Sequence, residues 1–206
     1  MAIASIQKTI SGGGISISSL ISRTGDGQIG RDPILPAGKA GTLSTRTDDN
    51  TGVATLSEGH GIADADVVDV FWTNADGTYG VRYGMTVGTV AGTAVPIDGG
   101  AGDNLPAEDY AIVVTKQVEV NVAFDGDNAK VLAVHANKLA HVDFQDAGSA
   151  SLLALTLAPN EAFDWADATG ADRPITGNAV ATVKASCGDS ANDATLKIIV
   201  LEDATP

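Results

Sequence analysis

Between Val67 and Thr73 the chain alternates with a period of two: Val68, Val70 and Trp72 fall on one face of an extended strand, and Val67, Asp69, Phe71 and Thr73 on the other. Beyond the polar turn 74–77, Tyr79, Val81 and Tyr83 repeat the period. The two runs are therefore expected to form a hairpin with aromatic cross-strand pairs, each worth ~0.2–1 kcal/mol over alanine. Similar runs, cut by Gly, Asp and Asn, recur along the whole chain. Residues 2–10 read as an extended segment and Ile15-Ser16-Ile17-Ser18 as a half-buried strand, with Ser11-Gly12-Gly13-Gly14 as a hinge between them. Residues 42–47 and 53–56 form a second hairpin across the turn 48–52. Residues 85–91, 93–97 and 110–115 supply further strands, while the turn-rich stretches 25–41 and 98–109 are expected to be loops.

Around 116–119 the pattern starts again. Residues 118–124, 130–136, 139–145, 152–157, 162–165, 179–185 and 195–202 read as a second set of strands. Strands at a spacing of ~8–12 residues with turn signals between them point to a sandwich or barrel, and no amphipathic helix longer than two turns is evident. The fold class expected is all-β: two consecutive antiparallel β-sandwich or barrel-like units with an extended N-terminal segment. The expected divisions are an N-terminal arm over 1–14, a first β domain over 15–116 and a second β-sandwich domain over 117–206.

Composition narrows this picture. Of the 206 residues 44% are hydrophobic but only 4% are aromatic, so the core must be built from small aliphatic side chains. The net charge of −14 argues against a nucleic-acid partner, whose phosphates require Lys and Arg, and suits a concentrated or surface-displayed protein. Cys187 is the single cysteine, so no intramolecular disulfide can form. No apolar run approaches the ~20 residues of a membrane span, and the N-terminus lacks a signal-peptide core. The chain is expected to be made in a cytoplasm, with no membrane partner.

Candidate chemistry is sparse. His135 and His141 flank a turn and could approach each other on antiparallel strands, yet two imidazoles fall short of the ligand set of a zinc site. His60, between Gly59 and Gly61, reads as a turn residue. The acidic groups Asp48-Asp49-Asn50, Asp64-Ala65-Asp66 and Asp125-Gly126-Asp127-Asn128 offer oxygen ligands without the spacing of a calcium loop, and read as turns whose side chains bond their own backbone. The glycines match no phosphate-binding loop. No catalytic, cofactor-binding or metal site is expected. The candidate partner-binding residues are those of the first segment and its hinge: Ala2, Ile3, Ile6, Ile10, Gly12, Gly13 and Gly14, which could add a strand to a neighbouring sheet edge.

The opening Met1-Ala2-Ile3-Ala4-Ser5-Ile6, the middle stretches 83–88 and 95–106 (Val95-Pro96-Ile97-Asp98-Gly99-Gly100 and onward), and the ending 194–203 resemble small β-rich structural proteins of tailed bacteriophages and prophages. The resemblance covers about a third of the chain and carries no individual functional residue. The residues themselves, with no assembled nucleophile, base and orienting group, lead to the expectation of a non-enzymatic protein without a cofactor; the resemblance implies a virion component present in many copies, a head decoration or cement protein. Such a protein would bind the major capsid protein and copies of itself, as a homotrimer on the capsid surface. A tail-tube, connector or other tail component is the alternative within the same particle. A carbohydrate-binding β module is the alternative from another class, and would display Trp72 or Trp165 as an exposed platform.

Overall fold

The computed structural model describes residues 2–12, 15–25, 27–166 and 173–202. The protein is all-β. Its first element is a ribbon of two long strands, β1 (Ala2–Gly12) and β2 (Ile15–Gly25), antiparallel and in unbroken register from Ala2 opposite Gly25 to Gly12 opposite Ile15. At ~3.4 Å per residue, each eleven-residue strand spans about 37 Å.

A closed barrel follows. It comprises β5 (Lys39–Arg46), β6 (Thr51–Leu56), β7 (Val67–Thr73), β8 (Tyr79–Val87), β9 (Ala94–Gly102) and β10 (Tyr110–Lys116), in the order β10-β5-β6-β9-β8-β7. Closure leaves the barrel no free edge. Its interior holds Leu43, Leu56, Val68, Val70, Trp72, Met85, Val95, Ile97, Ile112 and Val114. These are the residues that the two-residue period sends inward.

From Val118 the chain builds a sandwich. One sheet is β11 (Val118–Val120), β18 (Thr182–Cys187), β14 (Ala140–Gln145) and β15 (Ser151–Leu157), in that spatial order. The other is β16 (Ala162–Ala166), β13 (Ala129–Ala136), β19 (Ala194–Glu202) and β3 (Gly27–Arg31), with β4 (Ile34–Leu35) also on β19. A short pair, β12 (Phe124–Asp125) with β17 (Ala179–Val180), completes the unit. The two inner faces meet in a core of small aliphatic side chains, among them Val142, Val183, Leu132, Val134, Leu196 and Ile198, with Phe144 and Phe124 edge to face at 6.2 Å.

Several expectations change. The stretch 25–41 is not a loop: β3 and β4 pair with β19, more than 150 residues away, so residues expected in the first unit complete the second. Nor does 98–109 begin as a loop, because β9 runs on to Gly102, which pairs with Arg82. Gly99, Gly100 and Gly102 adopt φ of 81°, 70° and 97°, conformations that only glycine takes readily. The Arg82 guanidinium holds them in place by donating to the carbonyls of Gly99, Gly100 and Asp103 at 2.7–3.0 Å. No aromatic of β7 stands directly opposite one of β8, although Phe71 and Tyr83 share a cluster. Trp72 lies opposite Gly80, and its indole fills the space that a side chain there would need: a Cβ on Gly80 would sit 2.2 Å from Cε2.

Candidate functional site

The candidate partner-binding residues Ala2, Ile3, Ile6, Ile10 and Gly12 all lie on β1; Gly13 and Gly14 lie outside the described residues. The expected arm was one strand on a hinge, but β1 has a strand of its own to pair with, and the arm is a ribbon over 2–25. Ile6 stands opposite Ile21 and Ile10 opposite Ile17, so these positions share one face of the ribbon. Ser5 opposite Ser22, Thr9 opposite Ser18 and Ser11 opposite Ser16 share the other. The ribbon is also electrically distinct from the body. It contains Lys8 and Arg23 and no acidic residue, whereas the rest of the chain holds the other ten cations and all 26 acids, a net −16. It approaches β3, β13 and β19, and leads through residue 26 into β3. An isolated two-stranded hairpin is marginal in water and becomes stable when a third strand or a packing surface is added.

A second cluster, missed in the sequence, lies where barrel and sandwich meet. The outward face of β7 carries Phe71 and Asp69, and both are buried by the sandwich. Phe71 packs with Val81, Leu139, Tyr83 and Val113. Asp69 is fully buried: its Oδ1 accepts from the Gly84 N–H and the Gln117 side-chain amide, each at 2.8 Å, and its Oδ2 accepts from the Ser186 hydroxyl of β18. Burial outweighs these three donors and, with the nearby Asp143 carboxylate, pushes the Asp69 pKa up to about 6. Asp143 is buried beside it and accepts from Gln145 at 2.6 Å and from Ser151 at 2.5 Å. Tyr83 of the barrel stacks on His141 of the sandwich with ring centroids 4.1 Å apart. Burial lowers the His141 pKa to about 3, so the ring is neutral.

Ser186 and His141 stand opposite each other on β18 and β14, but the Ser186 proton goes to Asp69, and the nearest partner of His141 Nδ1 is Thr156 Oγ1 at 3.4 Å. Asp69, His141 and Ser186 are each no more than 1% exposed. The geometry is that of a latch between the two units. Thr115 Oγ1 donates to the Cys187 carbonyl at 2.6 Å, and Gly38 N–H to the Asp189 carbonyl at 2.9 Å, continuing the seam. Gly188 fits there because it lacks a side chain; a Cβ would lie 2.6 Å from Leu139 and 2.8 Å from Phe71. The sequence signals were a lone Asp inside each of two apolar strands, Asp69 and Asp143, which need hydrogen-bonding partners if buried.

Most of the remaining candidates resolve as local structure; Asp64 and Asp66 differ, because Asp64 accepts from the Val90 N–H and Asp66 pairs with Lys116 at 2.9 Å. His60 accepts from the Ile62 N–H at Nδ1 and bonds the Gly92 carbonyl through Nε2, both at 3.1 Å, which makes it a turn residue. His135 and His141 do not meet in one sheet, because β13 and β14 belong to different layers; His135 is exposed. Asp48, Asp76, Asp125 and Asp146 each accept a backbone N–H two residues ahead, as turn aspartates do. Among the described residues no three His, Cys, Asp or Glu side chains gather as a ligand set. Cys187 is buried, which raises its pKa. Trp72 is only 6% exposed and donates to Asn74 Oδ1, and Trp165 packs on the sandwich core, so neither forms an open aromatic platform. An open groove of about 610 Å³ runs along the seam beside Phe71, Tyr110 and Leu139. Comparison with known proteins finds no family model, no curated protein and no solved structure that matches the chain.

Proposed function

We propose that this chain is a non-enzymatic structural protein that assembles in many copies through its N-terminal ribbon, and that its setting is the head lattice of a tailed-phage particle, as a decoration or cement protein. The observation that carries the reading is the ribbon itself: about 37 Å of paired backbone with a two-stranded sheet's open edges, positively charged on a strongly acidic body. A ribbon of this kind gains stability when it docks, because a third strand satisfies its outer backbone groups. The body supports the same role. A closed barrel latched to a sandwich is a rigid, edge-poor block, and its acidity keeps densely displayed copies soluble. The resemblance to phage structural proteins supplies the setting, with the major capsid protein and other copies of this chain as partners. Weak individual contacts repeated over a lattice yield tight overall attachment.

The test is rebinding to particles stripped of this chain. The full chain is expected to rebind to saturation, and a chain lacking residues 2–25 to lose at least tenfold in apparent affinity while keeping its melting temperature. Equal binding by both chains would refute the role of the ribbon.

A further inference from the structure

We propose that the outer edge of β15 is the acceptor for the β1–β2 ribbon of a second copy of this chain, so that copies join head to tail by strand addition. The inference rests on reading the ribbon as an assembly element, and adds where it docks and on what.

The barrel has no edges; the two larger sheets of the sandwich end in β11, β15, β16 and β3, and its third sheet, β12 with β17, is only two residues long. Three of these edges carry the protections that natural sheets use. β11 is three residues long; β16 carries Asp164 at an exposed position; β3 ends in Arg31, with Pro33 beyond it, and is followed by β4. β15 has one register shift against β14 at its first residues, between Ser151 and Leu153, and none of the other protections. Its seven residues, Ser-Leu-Leu-Ala-Leu-Thr-Leu, contain no charge, no proline and no glycine. It pairs only with β14, and among the described residues no other strand reaches it. In an antiparallel pair alternate residues turn both N–H and C=O away from the partner, so β15 presents a row of outward donors and acceptors to solvent.

The occupant follows from charge and length. A second acidic body brought against this edge is repelled unless the approaching element is cationic, and residues 2–25 are the longest stretch without an acid and carry Lys8 and Arg23. Asp146 and Glu161 stand just beyond the two ends of β15, so negative charge flanks this edge and suits a cationic segment. The eleven residues of β1 are long enough to cover the seven of β15. Donor and acceptor are different surfaces: the ribbon enters at β3, the edge of one sheet, while β15 ends the other sheet and connects to β16 at the opposite edge. A contact between unlike surfaces propagates from copy to copy and closes into a ring when the rotation allows.

Two charge variants of the full chain test this. K8E/R23E disables the ribbon, and A154K/T156K, at two exposed positions, blocks the edge. In the analytical ultracentrifuge the wild-type chain is expected to rise with concentration to at least twice the 20.8 kDa monomer mass. Each variant alone is expected to stay monomeric, and an equimolar mixture to form a one-to-one complex and nothing larger, because one intact ribbon and one intact edge remain. Wild type that is monomeric throughout, variants that assemble as wild type does, or a mixture that stays monomeric would each overturn the proposal. Hydrogen exchange on the unmodified chain reads the same contact without a substitution: amide protection in Ser151–Leu157 should rise with concentration, and constant protection counts against it. Particle rebinding separates the two levels. If K8E/R23E loses particle binding while wild type is monomeric in solution, the edge proposal fails and the structural role stands; if K8E/R23E changes neither, both fail.

Discussion

Replacing Asp69 with asparagine removes the most deeply buried carboxylate of the latch and keeps its shape. Asp69 is fully buried, and its pKa of about 6 lies roughly two units above the ordinary 3.8. At 1.36 kcal/mol per unit this is about 3 kcal/mol of differential stability. The sign follows from proton binding. The folded state holds this proton more tightly than the unfolded chain, so the favourable contribution is complete below pH 3.8 and is lost as pH rises through about 6. At pH 8 the ionised carboxylate therefore weighs against folding. In Asp69→Asn the side-chain carbonyl still accepts from Gly84 and Gln117, and the Ser186 hydroxyl can rotate to accept from the new amide. The assay is urea unfolding of both proteins at a series of pH values from 4 to 8. The unfolding free energy of the variant minus that of wild type should grow by about 3 kcal/mol from acid to base, with most of the change complete by about pH 6. His141 titrates in both proteins and cancels from the difference. A difference that is constant with pH would refute the buried, raised carboxylate.

Three further outcomes follow from the same seam and barrel. His141, held neutral by burial with a pKa of about 3 against an ordinary 6.5, contributes stability that is complete above pH 6.5 and is lost as pH falls toward 3; His141→Phe, which can still stack on Tyr83, should gain on wild type steadily in thermal melts from pH 6.5 to 4. Gly80→Ala should displace the Trp72 indole, lowering stability by about 1–3 kcal/mol and shifting tryptophan emission to the red; unchanged emission would contradict the contact. Gly188→Ala should wedge Leu139 from Phe71 and cost a similar ~1–3 kcal/mol, with calorimetry reporting a loss of coupling between barrel and sandwich.

Local signals made much of the fold legible. The period of two in Val67–Thr73 identified the inward residues Val68, Val70 and Trp72, and the turns at Asp48 and Asp125 read correctly because each aspartate bonds a backbone N–H two residues away. What escaped depends on partners distant in sequence. β3 is a strand because β19 lies beside it, despite the Asp-Gly and Asp-Pro turn signals around it. The glycines at 99–102 remain in β9 because Arg82 ties their carbonyls. Asp69 alternates onto the face turned away from the barrel core, and only Ser186, 117 residues on, makes that face an interior. Of the candidate site, the first strand was legible in its apolar spacing; its partner strand was not, because Ile15-Ser16-Ile17-Ser18 fits a body strand as well as a ribbon.

The central claim is that the chain is a multi-copy structural component held by its ribbon. Quantitative mass spectrometry of particles purified from the host that encodes it tests this most directly. The account predicts the chain in intact particles at a constant, multi-copy ratio to the major capsid protein, and its depletion from particles made with a chain lacking residues 2–25. Its absence from intact particles, or a ratio unaffected by that deletion, would contradict the account.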